Sequence, residues 1–202
     1  MAKLVVYYAH PGHRFSRVNR AMAEAAAKVA GIDFTDLYAI YPRHDIDVAR
    51  EQARILAADV ILFQFPLFWY STPSIIKDWQ DLVLEHGFAY GAGGDRLSGK
   101  TMMLALSAAG PEEAYSPEGY QHHDLRTFLT PLEQAARLCR MHFSPPYVIH
   151  SALKAREDGR IDQHVAGYRL LLEAIRDDRY DFAAAEARQV IGFGTLPIRE
   201  EG

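Results

Sequence analysis

Four short runs rich in Val, Ile, Leu and aromatic residues recur along the chain, at 4–9, 34–38, 60–65 and 101–107, with a weaker fifth at 147–150. Continuous apolar runs of this length suit strands buried on both faces of a parallel sheet. Between them the apolar period lengthens to that of a helix. In 16–29, Val18, Met22, Ala25 and Val29 share one helix face, with Ser16 as N-cap, and Gly31 stands where a C-terminal cap belongs. The segments 45–58 and 73–86 read as helices too. The second opens with Thr72 as N-cap and Pro73 in the first turn, where a missing amide hydrogen costs nothing. A helix over 126–140 has its start kinked or delayed by Pro131, and Ile161, Val165, Tyr168, Leu172 and Ile175 mark another after the Asp158-Gly159 turn. Strand and helix alternating in this way predict an α/β fold, a doubly wound sheet with helices on both faces. Ligands of such folds bind beyond the C-terminal strand ends, which selects the loops 10–16, 66–72 and 108–123. The connections 87–100 and 110–124 are longer than the usual two to six or so residues, which marks them as functional. The segment 182–202 has weak periodicity and late glycines at 192 and 194, and is expected to wrap or dock.

The chain has 202 residues, the size of one domain with a full core, and the expected division is a domain over 1–180 and a tail over 181–202. Its 22 Lys and Arg against 26 Asp and Glu give a net charge of −4, so no general attraction to nucleic acid or anionic membranes is built in. A single cysteine, Cys139, makes neither an internal disulfide nor a Cys-rich metal site, which fits a reducing compartment and a cytoplasmic location. The most apolar stretch, 60–70, is too short to span a membrane and contains Gln64 and Pro66. The N-terminus lacks a basic region followed by a cleavable apolar run and reads as a first strand.

Residues 94–101 satisfy the phosphate-loop pattern G-x-x-x-x-G-K-[ST], but the lysine opens what reads as a strand. A working phosphate loop follows a strand and opens a helix, so Lys100 is expected to be an exposed charge at a strand start. The loop 10–19 has the better context. It follows the first strand and leads into a helix, and His10, Ser16 and Asn19 surround free amide hydrogens at the positive helix end. This suits one phosphate, and it equally suits a simple cap with solvated histidines. It has too few glycines for a dinucleotide pyrophosphate. The loop 64–71 carries four aromatics at a strand end, and exposing large rings there implies that they face a flat ligand, a helix or another subunit. Ser107, Ala108, Ala109 and Gly110 allow backbone amides close to a ligand, and Tyr115, Tyr120, His122 and His123 follow. No set of histidines and carboxylates has metal-ligand spacing, so no metal is expected. Ser71 and Ser107 lack the G-x-S-x-G elbow, which argues against a serine hydrolase. Cys139 reads as a helix-face or core residue, and Asp45/Asp47, Glu112/Glu113 and Asp177/Asp178 as solvated charge.

The run from Gln64 to Trp79, QFPLFWYSTPSIIKDW, followed by GFAYG from Gly87, resembles the flavodoxin-like NAD(P)H:quinone oxidoreductase family that includes DT-diaphorase. DLYAIYP from Asp36, DIDVAREQ from Asp45, PLEQ from Pro131 and LCRM from Leu138 are similar to the ancillary oxidoreductases of bacterial glutathione-gated potassium-efflux systems. The resemblance spans about 3–178. It implies a five-stranded parallel sheet of order 2-1-3-4-5, FMN rather than FAD at the topological switch point, NAD(P)H as cosubstrate, a two-electron ping-pong transfer to a quinone, and a homodimer. It also implies a possible membrane antiporter partner, with the protein peripheral at the inner membrane face and the flavin site sensing redox state. Carried over by motif, His10, Ser16, Arg17 and Asn19 hold the phosphate and ribityl chain. Pro66, Leu67, Phe68, Trp69 and Tyr70 flank the isoalloxazine, with Trp69 against the ring, and Ser107, Ala108, Ala109 and Gly110 cradle its pyrimidine side. Tyr115 matches a family tyrosine near the flavin, and Tyr90, Tyr120 and His122 wall the substrate pocket. The chain departs from diaphorase-like members at Ala109, where they have glycine, and at Gln121, where they have histidine, so His122 is the candidate for that histidine's role.

Overall fold

Strands β1 (Leu4–Tyr8), β3 (Val60–Pro66) and β4 (Thr101–Ser107) form the centre of a parallel sheet in the computed structural model of the protein, which describes residues 1–199. β2 (Asp33–Asp36) pairs with the outer side of β1. The order is β2-β1-β3-β4, with a fifth position on β4 shared by two short strands, β5 (His142–Phe143) and β6 (Tyr147–Ile149). β5 pairs with Thr101 and Met102, and β6 with Ala105 to Ser107. The expected 2-1-3-4-5 order is therefore present, and its last strand is split by Ser144, Pro145 and Pro146, two of which have no N–H to donate to a ladder.

Within the buried strands, alternate residues feed two separate cores. Val5, Tyr7, Ile61, Phe63, Met102 and Leu104 pack beneath α3 (Val48–Ala57), α4 (Ser74–Val83) and α5 (Thr130–Leu138). Leu4, Val6, Leu62, Met103 and Ala105 pack beneath α1 (Val18–Ala26) and α6 (Arg160–Arg176). Full burial of each large apolar side chain contributes roughly 1.5–3 kcal/mol, so this two-sided covering is what holds the sheet and fixes where its strand ends lie. On the first face Glu51 is fully buried, at 0% exposure, and accepts from Tyr41 Oη (2.7 Å), Trp79 Nε1 (3.2 Å) and Arg54 Nη1 (3.4 Å). A buried carboxylate is tolerable only when its oxygens are occupied in this way.

Several boundaries differ from the sequence expectation. β2 stops at Asp36, because the Asp36 carboxylate accepts from Ala39 N and caps a single helical turn, α2 (Leu37–Ile40). α1 begins at Val18 with Arg17 in the cap position; Ser16 Oγ instead accepts from Arg20 N at 3.3 Å. Pro73, not Thr72, occupies the cap position of α4 and makes no side-chain cap bond. Asp47, read as solvated charge, caps α3 by accepting from Arg50 N at 3.0 Å. The segment expected to be helical from 126 starts as a tight 3-10 turn, Leu125–Leu129, and becomes α5 where Pro131 fits the first turn. Lys100 is not a free surface charge. Its ammonium donates to the carbonyls of Leu56 (2.9 Å) and Ala58 (2.5 Å), closing the C-terminal end of α3. After α6 the chain forms the short α7 (Phe182–Ala185) and folds back along β6, with Ile191 N donating to Pro146 O and Val148 N donating to Ile191 O.

Candidate functional site

The C-terminal ends of β1, β3 and β4 open onto a cavity of about 530 Å³ lined from the first loop and α1 by His10, Ser16, Arg17 and Asn19, from β3 and its following loop by Pro66 and Phe68, and from β4 by Ser107. Asn19, 2% exposed, ties two of these elements together: its Nδ2 donates to Ser107 Oγ at 2.7 Å. Gln64 Nε2 donates to the Asn19 carbonyl at 2.8 Å, fixing β3 to the same point. His10 is buried beside His13, and both burial and that neighbour push its pKa below the usual value, so it is neutral at pH 7. The positive charge at this end of the cavity comes from Arg17, exposed at the rim with no ion-pair partner among the described residues, and from the amides that begin α1.

The second loop turns back on itself. Phe68 and Ser71 form an antiparallel bridge, Ser71 N donates to Phe68 O at 3.0 Å, and the two residues between them, Trp69 and Tyr70, both have left-handed backbones with φ of 48° and 62°. Two-residue turns of this kind favour Asn-Gly, and bulky side chains there are strained. Phe68 faces the cavity, edge-on to His10 at 5.5 Å between ring centres. Trp69 projects outward and is 92% exposed, while Tyr70 packs on Phe128 at 4.9 Å. Leu67 turns its side chain into the core, and its amide donates to Ser107 O at 2.9 Å.

The third loop is held from behind by β6. Ala108 N donates to Ile149 O, and Ser151 N donates to Gly110 O. A Cβ on Gly110 would stand 2.8 Å from Tyr120 Oη and 3.1 Å from Tyr115 Cε2, so only glycine lets both tyrosines close over this backbone. Burial raises the Tyr115 pKa, against a hydrogen bond from the Gly110 amide that lowers it. Ala109 and His122 are exposed, His122 with a φ of 58°, and Tyr120 is 65% exposed. Tyr90 lies outside this cavity, half-buried in the α4–β4 crossover with its ring 5.6 Å from His86.

Some contributors escape sequence reasoning. Gly12 and Leu153 line the cavity, and His150, the residue after β6, sets its ring 5.4 Å from that of Tyr115. Gly12 falls inside a segment already singled out, whereas Leu153 and His150 follow the weakest strand signal and carry no motif.

A flavin fits the residues present. Among the described residues Asn19 Oδ1, buried at the cavity wall, has no hydrogen-bond partner, and the guanidinium of Arg17 at the rim has no ion-pair partner and is free for one phosphate. A nucleoside monophosphate-sized ligand with a flat apolar ring is what this combination recognises.

The sheet order, with its reversal of direction between β1 and β3, defines a flavodoxin-like protein. The profile of a family described as having a flavodoxin-like fold matches residues 2–172, and the chain belongs to that family. It is 42% identical, over 75% of its own length and 82% of the relative's, to the glutathione-regulated potassium-efflux system ancillary protein KefG of Cronobacter sakazakii. Among solved structures it is similar to general stress protein 14 of Treponema denticola in complex with FMN, with 32% identity, a TM-score of 0.79, and coverage of 86% of this chain and 99% of that one. It is also similar to a putative quinone reductase from Klebsiella pneumoniae, with 27% identity, a TM-score of 0.73, and coverage of 87% and 85%. The chain is thus a flavodoxin-like homologue of quinone reductases and of KefG ancillary proteins. Among the described residues no helix is long and apolar enough to cross a membrane.

Proposed function

We propose that the protein is an FMN-dependent NAD(P)H:quinone oxidoreductase. The observation that carries this reading is the joining of β1, β3 and β4 ends around one cavity through the Asn19–Ser107 bond, with Arg17 and the start of α1 on one side and Ser107, the last residue of β4, on the other. When bound, the flavin supplies the hydride relay between NAD(P)H and a quinone that stack on it in turn. Ser16, Asn19, His10 and Arg17 hold the phosphate and ribityl chain, and Pro66, Leu67, Phe68, Trp69 and Tyr70 flank the ring. The amides of Ser107, Ala108, Ala109 and Gly110 present fixed dipoles to the pyrimidine edge, where negative charge grows on reduction. Tyr115 holds a proton at its hydroxyl beside that edge. Tyr90, Tyr120 and His122 wall the substrate pocket, and a homodimer brings in those that stand away from the cavity in one chain.

The similarity to KefG supports a second, compatible role, as an ancillary subunit bound to a potassium-efflux antiporter at the membrane's inner face, with the flavin site sensing redox state. The absorbance spectrum of the purified protein tests the first reading: flavin bands that bleach on adding NADPH and return on adding a quinone support it. Colourless protein that does not take up FMN overturns it. Co-purification with an antiporter tests the second.

A further inference from the structure

We propose that the protein has a second binding site, for a free amphipathic carboxylate, in a groove at the end of the sheet away from the flavin cavity. The groove has a volume of about 800 Å³, against about 530 Å³ for the flavin cavity, and the two share no lining residue. It is walled by residues 1–5, where β1 begins, by residues 31–33, where β2 begins, and by one face of α3. The flavin loops follow the C-terminal strand ends, so the two sites stand at opposite ends of β1. The proposal is independent of the quinone reductase reading.

The spacing of α3 builds one wall. Arg50, Ala53, Arg54 and Ala57 stand at i, i+3, i+4 and i+7, which is a single helix face, and all four line the groove. Ala53 and Ala57 are exposed, and with only a methyl each they leave space that a larger side chain would fill. Together with the buried Leu4 and Val5 and the half-buried Ile32, they make the lining largely apolar. Small-molecule sites combine such a lining with a few placed polar groups, in volumes of roughly 300–1,000 Å³.

The charged groups select the ligand's sign. Lys3, Arg50, Arg54 and Arg176 line the groove against one acid, Asp33. Arg54 Nε donates to Asp33 at 2.9 Å and its Nη1 to Glu51 at 3.4 Å, while Arg176 donates twice to Asp177 and once to Ala30 O, each at 2.8 Å. The N-terminal ammonium pairs with Asp178, and Asp59 accepts from Lys3 N at 2.7 Å. The neighbouring acids are therefore engaged, whereas Lys3 Nζ and the Arg50 guanidinium, both exposed, have no hydrogen-bond or ion-pair partner among the described residues. In a chain of net charge −4, two free cations beside an apolar lining are a local departure that favours an anion. The Arg50 fork matches the two oxygens of a carboxylate, and Lys3 adds a point charge. Exposed ion pairs bind weakly, so the apolar body of the ligand supplies most of the affinity and the cations choose its head. Membrane-surface recognition uses clusters of roughly four to eight basic residues, which argues for a free acid over a bilayer.

The test titrates the purified full chain with decanoate, kept below its micelle-forming concentration, by calorimetry and by NMR, with and without added FMN. Expected is saturable one-to-one binding that shifts the amide signals of Leu4, Val5, Ile32 and Ala53 and is the same in both conditions. The double variant Lys3→Gln/Arg50→Gln should bind about tenfold more weakly. Ala57→Phe, which fills the groove from an exposed position, should also weaken binding, with a thermal midpoint within about 2–3 °C of wild type. Acetate, which has the charge without the apolar body, should bind about a hundredfold more weakly or worse. No saturable binding overturns the proposal, as does an unchanged affinity in the double variant or an equal affinity for uncharged decanol. Binding that FMN displaces would put the probe in the flavin cavity and overturn it too. Sedimentation with anionic phospholipid vesicles, abolished in the double variant, would identify a membrane surface in place of a free acid and overturn the assignment. A chain that takes up no FMN sinks the quinone reductase reading and leaves the decanoate titration as decisive as before.

Discussion

Asn19 Nδ2 donates to Ser107 Oγ across 2.7 Å, joining the first turn of α1 to the last residue of β4, although the two residues are 88 apart in sequence. Both residues line the cavity, and Asn19 Oδ1 is left buried without a partner among the described residues. Ser107→Ala removes one neutral hydrogen bond, worth about 1 kcal/mol, and strands a second polar atom of Asn19. The expected outcome is a modest fall in the urea midpoint and a loss of five- to tenfold or so in flavin affinity, read by fluorescence quenching. A stability loss with full flavin affinity would reduce the bond to scaffold.

The strained Trp69-Tyr70 turn makes a separable prediction. Left-handed backbone at a bulky residue costs on the order of 1–3 kcal/mol and persists where it serves a site. Tyr70→Gly should therefore raise the thermal midpoint, since glycine accepts a φ of 62° freely, while lowering turnover. Trp69→Ala, which removes a ring 92% exposed to solvent, should cost almost no stability but weaken flavin retention and turnover. Variants of both kinds with unchanged kinetics would show that the turn merely closes a loop.

The strands were legible because burial on both sheet faces writes an uninterrupted apolar run, as in 101–107, and the three loops at their C-terminal ends followed from the strand positions. The split last strand was not, because His142 and Phe143 carry too short an apolar pattern and the break lies in Pro145 and Pro146. Helix starts were misplaced by a residue or two where the capping group was not a side chain, as at Pro73 and Arg17. His150 had no local signal at all, since what distinguishes it is contact with Tyr115, 35 positions earlier, and Arg160, which reaches its carbonyl from α6. Asp47 and Lys100 show the converse error, in which charges read as solvated close the two ends of α3.

Gly110 is sterically rather than conformationally required. An added methyl would meet the Tyr120 hydroxyl at 2.8 Å and the Tyr115 ring at 3.1 Å. Tyr120 is largely exposed and can swing aside, so Gly110→Ala should fold with a stability within about 1 kcal/mol of wild type. Tyr115 is held by Phe128 and His150 and has less room to yield. Displacing it should lower quinone turnover more than tenfold, with the flavin absorbance band shifted. A fully active Gly110→Ala protein would show that neither tyrosine needs its place over this backbone.

His164 offers a pH signature independent of the flavin. It is 4% exposed, stacked on Tyr147 at 4.4 Å, and burial holds its pKa down to about 3 from 6.5. Between those values the unfolded chain binds a proton that the folded chain refuses, so stability is complete above about pH 6.5 and falls as the pH drops, by at most about 1.4 kcal/mol per pH unit. His10 and His150, also lowered by burial, act in the same direction. The ion-paired carboxylates Asp158, Asp177 and Asp181 lose their contributions only below their unfolded value of 3.8, so the loss between pH 6.5 and 4.5 belongs to the histidines. His164→Phe keeps an aromatic ring against Tyr147 and leaves intact the backbone carbonyl that Tyr147 Oη donates to at 2.7 Å. Urea midpoints measured from pH 7.5 to 4.5 should fall less steeply in that variant than in wild type. Parallel curves would mean that His164 is protonated in the folded protein, and the burial assigned to it would be wrong.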